Sequence, residues 1–493
     1  MTKTEILEER SPVAAETSGV TPDPYAGGTT ALTSMSRAVI EITNRRYQSD
    51  PFWGGPKGVE YGLLVGALPV QQPVLFPDRG STYFVGQFHL PAGAYLTIHG
   101  EYGHLRYFSY TVASQLPGGQ LGNGPFLRDD MIDPEPGSYN PFRPGSDRDG
   151  KKDRKYVLKI VQGNPPKENI PPNTLYTCSD SESDPIYLSF RNYIPDAGYD
   201  GTGNVELHGD GYGLPKVYLH LLHEPIPLEG EAMAKAVRAS KKQVAKGYPV
   251  TGWLDLVKGS IDPVNAPALP TPVFQRYWNI DYNGVGGFIL DPAQRVQQYP
   301  AVNAGGLAPN PDTVYLTTSF SLYYGQVVVI RGKMPTHPKT RHHQKTWPAD
   351  AQVRYWSATT GGSVASGAGW DSVFDEDVAL DKDGYFTLVM SWKEDRPKNA
   401  IKENGVTWID FGAGEGHYVG ARSWVNTVYF RYMDSNPSWK QSPVNIPPPT
   451  PQQPIPQDAE VMQEYFPRAV YMSKADFEAF FPSGFLRQIA VGS

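Results

Sequence analysis

A single cysteine, Cys178, rules out an intramolecular disulfide in this chain of 493 residues, and no histidine stands next to it in sequence to activate the thiol. Charge is scarce as well. Asp, Glu, Lys and Arg make up 19% of the residues, below the roughly 25% of an average soluble domain, so long solvated helices are not expected. The net charge of -7 comes with no basic run set against it, which excludes the clustered Lys and Arg of a phosphate-backbone footprint and makes nucleic acid an unsuitable partner. No stretch reaches the ~18 apolar residues that cross a bilayer, and the glutamate-rich start does not read as a signal peptide. No membrane partner is expected, and the cytoplasm is the expected location. The G-x-S-x-G elbow, the G-x-x-x-x-G-K-[ST] phosphate loop, the H-E-x-x-H zinc helix and paired C-x-x-C are also missing, so the common hydrolase, nucleotide and zinc classes lose support. No metal is indicated, and any cofactor is left unknown.

What the chain does have is glycine and proline, 50 and 47 residues respectively, which make it turn often. Between the turns lie short runs of Tyr, Val, Phe, Thr, Ile and Leu, the pattern of strands in sandwiches or barrels. Three helices interrupt this pattern. One is expected over residues 29–47, and one over 229–247, which opens with acids, ends with lysines and stops at Gly247. The third starts at Ser473, where Asp476 completes a capping box.

The strongest feature is an internal repeat. Residues 77–100 align without gaps to residues 309–332, with Pro, Tyr, Phe, Leu, Gly, Ile and Gly identical at corresponding places. The register resumes at Arg106-Tyr107-Phe108-Ser109 against Arg354-Tyr355-Trp356-Ser357, at a D-x-D-G turn in each half (147–150 and 381–384), and at Phe190-Arg191 against Phe430-Arg431. These matches predict a mainly β protein of two tandem, internally repeated β-sandwich (jelly-roll-like) domains. The expected layout is a flexible tail (1–27), a first sandwich (28–228), a connecting helix (229–247) and a second sandwich (248–493).

Alternate residues of a strand point to opposite faces of the sheet. Phe84, Phe88 and Leu90, with Leu316, Phe320 and Leu322, form the core parity. Tyr83, Gln87 and His89, with Tyr315, Ser319 and Ser321, form the other, which faces water, a cleft or the partner domain. Two arginines per half, Arg106 with Arg354 and Arg191 with Arg431, need a partner. Either they pair with the acidic runs at 129–133 and 375–377, or they clamp an anionic ligand. Where the copies differ, Asn310 and Asp312 replace Asp78 and Gly80, so only the second half has an Asn-x-Asp-Thr turn before Tyr315. A carboxylate there can act as a base, with Asn310 and Tyr315 as donors to an oxyanion, or the turn simply opens the strand. Glu415 and His417, in a glycine-rich loop, are a further asymmetric pair. His220 and His223 are a weak metal signal, because a strand would point them to opposite sides.

The strings PNPDTVY, GQVVVIRG, RYWS, MSWKEDRP, GVTWIDFG and EYFPRAVYMSKADFEAF, with RYFSY and FLRDDMIDPEPGSYNPFRPG in the first half, resemble a bacterial family of tandem β-sandwich proteins of unknown function, the domain of unknown function 1254/1214 type. The resemblance spans about residues 77–480. It implies two jelly-roll-like domains and supplies no substrate. The functional expectation is a small-organic-ligand protein with a cleft in the second domain, a hydrolase or lyase using a carboxylate base. Asp312, Asn310 and Tyr315 would be its catalytic residues, and Arg354, Arg431, Trp356, Tyr83, Arg106 and Arg191 would bind the ligand. The alternative is a non-catalytic carbohydrate- or terpenoid-binding protein that stacks its ligand on Tyr83, Tyr315, Trp356 and Trp424. Oligomeric state is open, a homodimer included.

Overall fold

A computed structural model of the chain describes residues 52–53, 78, 80–114, 124–150, 153–179, 186–199, 203, 213–237, 272–279, 282–283, 291–302, 310–342, 344–362, 369–413 and 422–480. The helix expected over 29–47, the tail before it, and the pair Glu415 and His417 lie outside the described residues.

The fold is mainly β. The first half carries β1 (Ser81–Phe88), β2 (Tyr95–Glu101), β3 (Leu105–Ser114), β4 (Phe126–Arg128), β5 (Lys155–Val161), β6 (Thr174–Tyr176), β7 (Ile186–Pro195), β8 (Lys216–His220) and β9 (Leu228–Glu229). The second carries β10 (Gln275–Arg276), β11 (Thr313–Ser321), β12 (Val327–Lys333), β13 (Tyr355–Gly361), β14 (Gly369–Phe374), β15 (Tyr385–Ser391), β16 (Thr407–Asp410), β17 (Val425–Met433) and β18 (Arg468–Met472). Helices are short: α1 (Gly230–Val237), α2 (Pro292–Gln298), α3 (Asp458–Met462) and α4 (Lys474–Phe480). Only the first part of the expected connecting helix is described, as α1. Before α4 the Ser473 hydroxyl accepts from the Asp476 amide at 3.0 Å and donates to its carboxylate at 2.6 Å, so the cap forms through serine as its side chain allows. Among the described residues no helix is long and apolar enough to cross a membrane.

The strands form four sheets. Sheet I runs β1-β7-β3-β4, sheet II β6-β5-β2-β8-β9, sheet III β10-β11-β17-β13-β14 and sheet IV β16-β15-β12-β18. Apart from the short edge strands β9 and β10, the order in sheet I matches that in sheet III, and sheet II matches sheet IV. Even the parallel pairing of β5 with β6 has its counterpart in β15 with β16.

Sheets I and II enclose one core, with Phe84, Phe108, Phe190 and Leu188 from one side meeting Leu96, Ile98, Leu158 and Leu219 from the other. Sheets III and IV enclose a second, built on Leu316, Phe320, Phe430 and Trp356 against Ile330, Phe386, Leu388 and Met390. The alternating strands of sheet II leave their odd positions solvated, as in β5, where Lys155 and Lys159 are exposed. Strands β12 and β15 are instead nearly continuous apolar runs, and both faces are buried. Their outer face carries Val327, Val329 and Val389, and Phe477 of α4 packs over it. The D-x-D-G segments are turns whose first carboxylate accepts backbone amides, Asp147 from Asp149 and Asp381 from Asp383 and Tyr385.

Candidate functional site

Sheets I and III turn their outer faces toward each other, and most of the residues singled out above meet in the seam between them. On sheet I, Tyr83, Arg191 and Ser109 stand side by side across β1, β7 and β3. On sheet III, Tyr315, Arg431 and Ser357 do the same across β11, β17 and β13. The non-core parity therefore faces the partner half at these positions. Aromatic rings fill the middle: Tyr193 sits edge-on to Tyr355 at 5.1 Å and to Tyr107 at 5.6 Å, in a cluster completed by Ile194, Phe374 and Met433.

The arginines are exchanged across the seam. Arg106, fully buried, donates from Nη1 to both carboxylate oxygens of Asp375 at 2.6 and 2.7 Å, from Nη2 to Glu376, and from Nε to Thr340 at 3.1 Å. Arg354 reaches the other way, to Asp129 at 2.9 Å and the Arg106 carbonyl at 3.1 Å. Each receiving carboxylate is fixed in its own half by a strand amide, Asp375 by Trp356 and Asp129 by Phe108. Asp129, Asp375 and Glu376 thus serve arginines of the opposite half, and neither Arg106 nor Arg354 is placed to clamp a ligand anion. Their electrostatics differ. Burial opposes the charge of Asp375, but Arg106, helped by His337, outweighs it and holds the carboxyl below its usual range. Burial dominates at Asp129, where Arg354 opposes it incompletely and Asp130 adds repulsion, and the carboxyl is pushed up to about 7.

At either end of the seam a turn residue meets a tyrosine of the other half, and here the two ends diverge. Asp78 accepts from the Gly80 amide at 2.7 Å, the Tyr355 hydroxyl, the Ser357 hydroxyl at 2.6 Å and Arg431 at 3.4 Å. Arg431 also donates to Thr359 at 2.7 Å. At the other end Tyr107 donates to Asp312 at 2.6 Å, and the Asn310 amide donates to the Tyr107 oxygen at 3.3 Å. Arg191, the counterpart of Arg431, donates to Thr111 at 2.9 Å. Among the described residues Asp312 Oδ1, Asn310 Oδ1 and Thr313 Oγ1 are buried there with no hydrogen-bond partner, although buried polar atoms are nearly always paired in folded proteins. Gly80 explains part of the difference, since a Cβ at that position would meet the Tyr355 hydroxyl at 2.5 Å. The side-chain space that Asp312 uses in one half is filled by a phenol in the other.

Burial is the main cause of a raised pKa at Asp312, to about 6. Asp434 adds to it, while the Tyr107 hydrogen bond, Arg128 and Arg191 oppose it. Such a carboxyl exchanges its proton near neutral pH and can serve as an acid or a base. Tyr315 is raised by burial against the pull of Arg431 and stays a neutral phenol. Asp312, Asn310, Tyr315, Tyr83, Arg191 and Arg431 are thus gathered in one seam, with Arg106 and Arg354 beside it as ion-pair partners.

Two aromatic expectations need correction. Trp356 has the parity opposite to Tyr355 and points into the second core, fully buried between Phe386 at 5.2 Å and Phe430 at 5.1 Å. Trp424 packs edge-on to Trp392 at 5.0 Å at the rim of the same core. We expect Trp356→Phe to lower stability by about 1–2 kcal/mol in urea denaturation and to leave ligand binding unchanged. Among the described residues no group of three or more His, Cys, Asp or Glu side chains could hold a metal ion. Reading the sequence missed Tyr107, Tyr355 and Ser109. Their signal was present in the paired strings Arg106-Tyr107-Phe108-Ser109 and Arg354-Tyr355-Trp356-Ser357, where the arginines drew attention away from the tyrosine tips.

No protein-family model matches the sequence, and no curated protein does. Among solved structures, an uncharacterized protein from Burkholderia cenocepacia is similar with a TM-score of 0.42 and 11% identity, over 94% of this chain and 92% of its own. The VPA0106 protein from Vibrio parahaemolyticus is similar with a TM-score of 0.35 and 10% identity, over 88% of this chain and 99% of its own.

Proposed function

We propose that the Asp312 end of the seam binds a small polar organic molecule and that Asp312 is its acid-base group, in a hydrolytic or elimination reaction. The observation that carries this reading is the asymmetry between the two ends. Among the described residues Asp78 has four donors, whereas Asp312 has one and keeps a buried, unpaired oxygen beside those of Asn310 and Thr313. A molecule presenting hydroxyl or amine donors would complete that set, while a carboxylate or phosphate would meet acceptor oxygens of its own sign. The anion-clamp role for Arg106 and Arg354 is dropped, because both are already ion-paired. Proximity of Asp312 to Tyr107, a donor from the other half, supports a site shared by the two sandwiches rather than confined to the second. The matching sheet orders support reading the chain as one sandwich duplicated and then specialised at one end, as in the bacterial family of unknown function that its sequence resembles.

The test is a thermal-shift screen of neutral polyols and amines on the wild type, followed by turnover assays on the hits. We expect Asp312→Asn to bind a hit within a few fold of wild type and to lose turnover. Hits that bind Asp312→Asn equally well and are not converted by the wild type would leave a binding protein without catalysis, and a screen with no hits would remove the site.

A further inference from the structure

The outer face of sheet II carries a cluster that the seam does not use. Thr97 Oγ1 lies 3.2 Å from His99 Nε2 and 3.0 Å from His220 Nε2, so imidazoles from two neighbouring strands, β2 and β8, aim the same ring nitrogen at one point. Both rings are held in place by tyrosines. His220 lies flat on Tyr95, 4.4 Å away with 4° between the planes, and His99 stands edge-on to Tyr218 at 4.9 Å. The register explains the convergence, since Tyr95 is opposite His220 and Thr97 is opposite Tyr218, which leaves His99 and His220 on either side of the threonine. On sheet IV the positions matching Tyr95, Thr97 and His220 are Val327, Val329 and Met472, part of an apolar patch packed under Phe477. The position matching His99 is Arg331, which is ion-paired with Asp381, so the pair of imidazoles is particular to the first half.

We propose that His99 and His220 chelate one divalent transition cation at the position that the Thr97 hydroxyl now bridges, with water in the remaining coordination places. Imidazole nitrogens suit borderline cations, and the expected order of affinity is Cu2+ over Ni2+ over Zn2+, or Ni2+ close to Zn2+. Bonds of ~2.0–2.1 Å to imidazole are shorter than the present contacts to the hydroxyl, so the Thr97 side chain must turn aside when the cation binds. The Lys159 ammonium sits 4.0 Å from the centroid of Tyr95, and Lys216 is the strand partner of His99.

The experiment is calorimetric titration of the full chain with Cu2+ at neutral pH, together with electron paramagnetic resonance of the copper-loaded protein. We expect one Cu2+ bound with an imidazole-nitrogen signature, with affinity falling at least tenfold in His99→Ala and in His220→Ala and unchanged in His104→Ala. Melting curves that match the wild type would show that the exposed variants remain folded. Absence of Cu2+ uptake, or uptake that neither His99→Ala nor His220→Ala weakens, would overturn the proposal.

Discussion

Arg106→Ala is expected to lower the stability of the protein by about 3–5 kcal/mol, the range for breaking a buried ion pair from one side. The arginine is fully buried and holds Asp375 and Glu376 of the opposite half. Without it, two carboxylates stay out of water with no cation between them. Urea denaturation at neutral pH measures the loss. A variant that also carries Asp375→Asn and Glu376→Gln should recover most of it, because the penalty comes from the stranded charges more than from the missing contact. Equal stability of Arg106→Ala and wild type would mean that the seam is not held by this exchange. Arg354→Ala is the milder counterpart. Asp129, with a pKa near 7, can take up a proton when its cation is removed, so the loss should be smaller at pH 6 than at pH 8.

Asp312→Asn should have two effects of opposite kind: loss of any turnover, and a gain in stability on the order of 2 kcal/mol at pH 8, where the wild type must ionise a largely buried carboxyl and the amide need not. The sign follows from where the proton is held. The folded pKa of Asp312, about 6, lies above the ordinary value of 3.8 for an aspartate, so the native state binds the proton more tightly than the unfolded chain. Wild-type stability therefore falls as pH rises through this window and is lowest, with respect to this group, once the carboxylate is ionised in both states. Asparagine cannot ionise, so its advantage should appear at high pH and shrink as pH falls from 6 toward 4. Denaturation midpoints of both proteins across pH 4–8 test this, and a constant difference over that range would refute it. A stability gain paired with lost activity is the usual sign of a group kept for function against the interest of the fold.

Periodicity alone told the two faces of the repeat strands apart. Phe84, Phe88, Leu316 and Phe320 are all buried, because alternation along a strand is a local property of the backbone. The cap at Ser473 and the Asp-Gly turns are likewise local. Parity also offers a reason for the misplacement of Trp356: it follows Tyr355, and adjacent residues of a strand cannot both face the seam.

The strands, their buried faces, and the asymmetry of Asn310 and Asp312 against Asp78 and Gly80 are legible in the chain alone, since each depends on neighbours along it. Which half supplies each partner is a matter of the folded arrangement. Arg106 finds Asp375 and Tyr107 finds Asp312 across more than two hundred residues of chain, and no periodicity encodes that choice. It depends on how two sandwiches meet face to face, which in turn decides that one buried carboxylate is fully paired and the other is not.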